Sequence, residues 1–254
     1  MSGIFIGLVC VSVSLAPAIV ITSFLAVLLI LCSYEFFTFF PSTKSGSSLA
    51  VIFLSIAGGV IGYFNPIGDI LLYLIILQSL ALIVLLYLPQ VSLSYPQLIF
   101  GSFFYPGLSI GILANYLSNS ELTYPPLLLF FTLIWASDTG AYYFGKNFGM
   151  KKFLEAVSPK KTMEGFIGGG LTTLVFAALW AIFCSGLSMF AALAIGVITW
   201  LSCSYGDLVQ SKLKRRFGIK DSGNLIPGHG GFFDRFDGFI FAGPFFVISH
   251  YLVA

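Results

Sequence analysis

The residues of this chain that are able to do chemistry gather late in the sequence. Asp207, Ser211, Lys212, Lys214, Arg215, Arg216, Lys220, Asp221, His229, Asp234, Arg235 and Asp237 form one group; Lys146, Lys151, Lys152, Glu155, Lys160, Lys161 and Glu164 form another. Of the 22 Lys, Arg, Asp and Glu residues in the chain, 17 fall in these two stretches. Lipid anchoring alone would use basic residues only, whereas both signs together build a site. Carboxylates can hold a divalent cation while Lys and Arg neutralise phosphate oxygens, which suits a nucleoside triphosphate with its metal.

Magnesium is a hard ion held by one or two carboxylates with waters and substrate phosphates. Asp207 and Asp234 suit that role if the segment between them folds back on itself. The alternative is that Asp207 caps a helix and that Asp234 and Asp237 pair with Arg235 and its neighbours. Asp207, Ser211 and Lys214 are spaced i, i+4, i+7, so a helix would present them on one face. Lys214, Arg215 and Arg216 also fit anionic lipid headgroups. Pro227-Gly228-His229-Gly230-Gly231 is a glycine-rich turn whose backbone can approach phosphate closely. Asp138 lies inside an otherwise apolar helix, where ionisable groups are costly and face an interior cavity. It reads either as a metal or nucleotide contact or as a hydrogen-bond partner for a neighbouring helix. In Ser158-Pro159-Lys160-Lys161-Thr162, Thr162 as a cap, with Glu164 and free amides in the first turn, makes a polyanion site beside two lysines. Those lysines serve equally well as topology determinants. The stretch Ser158–Gly165 carries no Gly-x4-Gly-Lys pattern, and His250, in the last apolar segment, reads as structural.

A very apolar chain has to position these groups. It is 58% hydrophobic and 9% charged, with a mean hydropathy of +0.99, against about 25% charged in soluble domains. Apolar stretches long enough to span a bilayer are read at 3–20, 21–40, 48–64, 69–88, 96–117, 124–145, 163–185, 187–206 and 238–254. The first two could form one element, and Gly58, Gly59 and Gly62 soften the third. Asn65-Pro66, Pro89, Tyr105-Pro106-Gly107 and Pro125-Pro126 mark ends or kinks. The first segment lacks a positive leader region and reads as an uncleaved helix. The Lys and Arg residues occur at Lys44, in 146–161 and in 212–235, separated by even numbers of helices, so the positive-inside rule makes all three groups and the N-terminus cytoplasmic. Cys10, Cys32, Cys184 and Cys203 have neither disulfide-framework nor zinc spacing and read as packing residues. The aromatic residues are spread through the spans, which gives no support to nucleic-acid binding. The chain divides into N-terminal transmembrane helices (1–122) and a C-terminal catalytic transmembrane region (123–254) with cytoplasmic loops at 145–162 and 207–237.

The run from Ser211 to Asp237 resembles the signature of phosphatidate cytidylyltransferases (CDP-diacylglycerol synthases). Ser211, Lys214, Arg215, Lys220, Asp221, His229, Gly230, Gly231, Asp234, Arg235 and Asp237 occupy all eleven positions of that pattern. The stretch from Ser137-Asp138-Thr139-Gly140 through Ser158 to Gly165 also looks like this family. The resemblance implies an all-α polytopic enzyme of the inner (plasma) membrane, with its active site facing the cytoplasm. The reaction implied is transfer of CMP from CTP to phosphatidate, giving CDP-diacylglycerol and pyrophosphate. Asp207 and Asp234 are implied as ligands of magnesium, alone or with a second cation. Lys214, His229 and Asp237 join them as catalytic residues, with His229 contacting phosphate or base or giving a proton to departing pyrophosphate. Asp138, Lys160, Lys161, Ser211, Arg215, Lys220, Gly230, Gly231 and Arg235 are implied substrate contacts. The family also suggests a homodimer. CTP rests on resemblance alone, since no residue reads a cytosine. Two other readings stand beside it. A CTP-dependent polyprenol or phytol kinase would need a base for an attacking alcohol, and a transporter would place polar groups near the bilayer midplane.

Overall fold

The computed structural model describes residues 2–39, 45–65, 68–88, 94–223 and 230–253. Lys44, Pro66, Pro89 and His229 lie outside the described residues. Ten α-helices account for most of the chain: α1 (Ser2–Ser14), α2 (Ala18–Thr38), α3 (Ser45–Phe64), α4 (Asp69–Leu86), α5 (Tyr95–Ser102), α6 (Ser109–Asn119), α7 (Pro126–Phe148), α8 (Met163–Phe183), α9 (Met189–Arg216) and α10 (Phe233–Val253). Among the described residues no strand forms, and Lys152 and Thr162 make one isolated antiparallel bridge. In hydrocarbon every backbone polar group must be satisfied within its own segment, which is why such apolar sequences fold as helices. Large side chains such as Ile19, Leu77, Val84, Phe183 and Phe190 point outward, as a lipid-facing surface requires.

Among the described residues seven helical segments are long and apolar enough to cross a membrane: α2, α4, Pro96–Asn119, α7, α8, α9 and α10. The expectation of nine spans is met to that extent. Pro17 stands at the N-cap of α2, so the first segment stops at Ser14. At 13 residues α1 reaches about 20 Å, short of a hydrocarbon core about 30 Å thick. The segment expected at 96–117 is broken between α5 and α6 by a π-helical turn, Phe103–Leu108, where Pro106 sits inside and Tyr105 leaves helical geometry (φ −127°, ψ 109°). The glycines that soften α3 as a sequence allow it to pack closely against this break. A Cβ on Gly62 would lie 2.9 Å from Ile112 N and 3.0 Å from Leu108 O.

Two expected boundaries move in a way that matters for the site. α9 continues past 206 to Arg216, because Asp207–Arg216 contains no Gly or Pro and buries Leu208, Val209 and Leu213 at helical spacing. Lys214, Arg215 and Arg216 then stand in its last turn, where the helix dipole favours cations. α10 begins at Phe233, so Asp234 and Asp237 belong to its first turns rather than to a loop.

The helix ends fall into two groups. At one end Lys212 Nζ donates to Leu85 O and to Leu88 O (3.2 Å), tying the C-terminal ends of α4 and α9 together. Glu35, near the end of α2, meets the start of α10 there. At the other end Asn115 Nδ2 donates to Tyr63 O (2.6 Å), Thr123 Oγ1 donates to Ser185 O (2.8 Å), and His250 packs on Tyr116. His250 is buried with Nδ1 on Phe246 O (3.0 Å), in keeping with its structural reading. Both charged stretches lie at the first end.

Candidate functional site

A groove of about 460 Å³ opens between α7, α8 and the middle of α9. Its polar lining includes Ser137, Asp138, Lys146, Lys160, Lys161 and Asp207. Lys161 Nζ bridges to Asp207 Oδ2 at 2.6 Å and reaches Ser204 O at 3.4 Å. Ser211 Oγ donates to Asp207 Oδ1 at a long 3.5 Å. Asp138 is exposed on the groove wall, ten residues before the end of α7, and shares the electrostatic field of Asp207 and Lys161.

The loop before α8 carries the lysines into place. Phe153 N donates to Lys161 O (3.0 Å) and Met163 N to Lys151 O (2.8 Å), closing the loop around the Lys152–Thr162 bridge. Thr162 is the N-cap of α8, as expected, with Oγ1 accepting Gly165 N (3.2 Å). The expected polyanion pocket of free first-turn amides does not form in that shape. Met163 N and Gly165 N are both bonded, and the Glu164 carboxylate accepts Met150 N (3.0 Å) and Lys151 N (3.2 Å). Glu164 thus staples the loop, while Lys160 and Lys161 face the groove.

A second cluster forms where α9 ends and α10 begins. Lys214 Nζ sits 2.7 Å from Asp234 Oδ1, with side chains only 12% and 13% exposed. Asp234 Oδ2 accepts Ser222 N (2.7 Å) and Gly231 N (3.2 Å). One turn on, Asp237 Oδ1 accepts Gly238 N (2.7 Å) and lies in the field of Asp207, Lys214 and Asp138. Arg215 Nη1 donates to Ile219 O (3.2 Å), closing the end of α9, and Arg215, Lys220, Asp221 and Arg235 are exposed around the rim. Gly230 takes a left-handed φ of +81°, which favours glycine.

Asp207, Ser211 and Lys214 are helical, as their spacing anticipates. Seven residues of rise separate the groove from the second cluster, about 10 Å along α9. The two clusters are therefore parts of one charged surface with α9 as its spine.

Comparison with known proteins bears directly on this surface. The model of the cytidylyltransferase family matches residues 1–253. A phosphatidate cytidylyltransferase of Staphylococcus saprophyticus is 34% identical over 249 residues, covering 91% of this chain and 95% of the relative. One from Staphylococcus haemolyticus is 35% identical over 206 residues, covering 80% and 76%. One from Staphylococcus aureus is 43% identical over 139 residues, covering 54% and 53%. The chain belongs to the cytidylyltransferase family.

The matched stretch contains both charged clusters and also two buried polar residues that sequence reasoning passed over. Glu35 on α2 is 1% exposed, and its carboxylate accepts Phe232 N (2.8 Å), Phe233 N (2.6 Å) and Ser222 Oγ (3.0 Å). Gln210 on α9 is fully buried and donates from Nε2 to Phe233 O (3.0 Å). The signal for Glu35 was present: a lone carboxylate in an apolar span, the same feature that singled out Asp138.

The donor set suits the magnesium that the family implies. Asp207, within α9, and Asp234, in the first turn of α10, offer hard carboxylate oxygens. Among the described residues no three His, Cys, Asp or Glu side chains converge on one point, so an ion there would take its remaining ligands from waters and substrate phosphates. Among the described residues Asp207 Oδ1 takes the long contact from Ser211. Asp234 Oδ1 would divide its charge between a cation and Lys214.

Proposed function

We propose that this chain is a phosphatidate cytidylyltransferase, transferring CMP from CTP to phosphatidate to form CDP-diacylglycerol and pyrophosphate. The observation that carries this is similarity along nearly the whole chain to proteins of that name. The geometry supports it: cations and carboxylates of a phosphate-handling site stand together at one end of an apolar helical bundle.

In this reading an oxygen of the phosphatidate monoester attacks the α-phosphorus of CTP in line. The new O–P bond forms as the bond between the α-phosphorus and its bridging oxygen breaks, and pyrophosphate leaves with that electron pair. The nucleophile is already anionic at neutral pH, so no strong base is required, and the site has no Ser-His-Asp or activated-cysteine arrangement among the described residues. Catalysis reduces to holding two polyanions together and stabilising charge as it moves. Lys160 and Lys161 face the groove and meet nucleotide phosphates there. Lys214, beside Asp234, and Arg215 and Lys220, at the rim, meet the lipid phosphate or the departing pyrophosphate. Asp207 and Asp234 would hold magnesium, which screens the triphosphate and aligns its α-phosphate.

The site faces the cytoplasm in this proposal. The C-terminal ends of α2 and α4 both lie at the charged end of the bundle. The chain between them must cross an even number of times, so α3 crosses as well as α4. At 20 residues α3 reaches about 30 Å, enough to do so. The basic groups then share one side, which the positive-inside rule makes cytoplasmic. The N-terminus joins them there if α1 also crosses. The bilayer is the bacterial plasma membrane, and a homodimer is the expected assembly.

The test is direct. Purified protein is incubated with phosphatidate, magnesium and each of the four ribonucleoside triphosphates in turn. Liponucleotide and pyrophosphate should form with CTP. Phosphorylation of a lipid alcohol with release of CDP would support the kinase reading, and absence of any nucleotide-dependent turnover would overturn both.

A further inference from the structure

The structure assigns Glu35 a positioning role in the reaction proposed above: the α2 carboxylate clamps the start of α10 so that Asp234 presents one oxygen to Lys214 and to the cation. The assignment rests on that reading of the site.

The first amides of a helix have no partner within it, and Ser, Thr, Asp or Asn just before the helix is the usual remedy. α10 has Gly231-Phe232 there instead. Its cap comes from another helix, with Glu35 accepting both Phe232 N and Phe233 N. A negative group there also complements the helix dipole. Phe233 is held a second time through its carbonyl, which accepts Gln210 Nε2 from α9 (3.0 Å). Rings of Phe36 and Phe39 pack on Phe233 at 5.9 and 6.2 Å, reinforcing the α2–α10 contact.

Ser222 connects this clamp to the chemistry. Its hydroxyl donates to Glu35 Oε2 (3.0 Å) while its backbone N–H donates to Asp234 Oδ2 (2.7 Å). Asp234 Oδ1 is thereby turned toward Lys214 Nζ at 2.7 Å. The glycines around the clamp follow from it. A Cβ on Gly231 would overlap Ser222 Oγ and lie 2.6 Å from Glu35 Oε2, and one on Gly223 would lie 2.9 Å from Glu35 Oε1. The second glycine of the His-Gly-Gly signature is thus a consequence of the buried carboxylate. Asp234 directly follows the clamped residue, so a change in the clamp moves the proposed ligand itself.

Glu35→Gln tests the role. The amide has one accepting oxygen where three donors converge, and its NH₂ faces a donor. In full-length folded protein kcat should fall about 10- to 100-fold, the scale of an ångström-level misplacement. The magnesium midpoint should rise, the KM for CTP should change less, and amide exchange across 230–237 should speed up. Ser222→Ala should move kcat and the magnesium midpoint in the same direction by a smaller factor. The double variant should fall short of the product of the single effects, as coupled residues do. Wild-type kcat and magnesium midpoint in folded Glu35→Gln would overturn the assignment. If that variant does not fold, the same wild-type values in Ser222→Ala would overturn it. If wild-type protein makes no liponucleotide, the reaction is wrong; the clamp then stands or falls on whether exchange across 230–237 accelerates in Glu35→Gln.

Discussion

Replacing Lys161 with Ala separates its two readings, membrane-topology determinant and phosphate contact. The structure sets the cost to folding. The pair with Asp207 is short, 2.6 Å, but its side chains stay 29% and 42% exposed, and exposed pairs contribute about 0.2–1 kcal/mol. The second contact, to Ser204 O at 3.4 Å, is long and adds little. Stability should therefore change by no more than about 1 kcal/mol, against the roughly 5–15 kcal/mol of a folded domain. A hydrogen bond from a charged group to phosphate contributes about 1.5–3 kcal/mol, which is roughly 10- to 150-fold in kcat/KM. Steady-state kinetics with CTP and phosphatidate varied separately, on protein of matched thermal stability, measures the ratio. Lys161→Arg should recover part of the loss, because its planar fork replaces a point ammonium. Unchanged kcat/KM in a normally purified Lys161→Ala would return the residue to topology and remove the groove from the reaction.

Asp207→Asn and Asp234→Asn should each lower turnover on the order of 10²-fold or more and raise the magnesium requirement, measured by titrating the metal against rate. They should differ in stability: Asp207 is half exposed, whereas Asp234 leaves the largely buried Lys214 unpaired, at a cost of about 3–5 kcal/mol in thermal unfolding. Wild-type turnover in both, with unaltered magnesium dependence, would remove the two-aspartate site. Gly231→Ala should destabilise the fold by about 1–3 kcal/mol through overpacking against Ser222 and Glu35; a fully stable variant would contradict the close approach. Cysteines placed at Glu155 and Lys220, with the native cysteines replaced by alanine, should label from the same side of the membrane and Ser185→Cys from the other. Opposite labelling of Glu155→Cys and Lys220→Cys would break the composite site.

The membrane class and the charged clusters were legible because they depend on composition and short-range spacing. Asp207, Ser211 and Lys214 share a helix, and their spacing alone anticipated the common face. The extent of α9 was harder to see. Ten residues rich in charge resemble a loop, and what makes them helical is burial of Leu208, Val209 and Leu213 against partners no local pattern names. α1 was read too long because Pro17 falls inside an unbroken apolar run. The role of Glu35 was out of reach for a different reason. Its partners stand 187 to 198 residues away, and Tyr34-Glu35-Phe36-Phe37 carries no hint of them. Gly231 belongs with it: the glycine was singled out for close approach to a ligand, and the structure adds close approach to a carboxylate of the same chain.

That carboxylate changes how the two halves of the chain relate. A division at 122 leaves the N-terminal helices as scaffold, yet α2 supplies the cap of α10 and α4 receives Lys212 from α9. The catalytic end is thus braced from both halves. Two of its carboxylates are also paired within the chain, Asp207 with Lys161 and Asp234 with Lys214. In the proposed reaction a triphosphate with its cation offers each partner a stronger one: phosphate oxygens for the lysines and a divalent ion for the aspartates. Exchanging two internal pairs for two pairs to substrate leaves none of the four side chains without a partner of opposite charge. An interfacial site can thereby take in a polyanion without holding bare charges against the hydrocarbon when empty. This accounts for carboxylates of α9 and α10 each standing beside a lysine, where a lipid-anchoring surface would carry only one sign of charge.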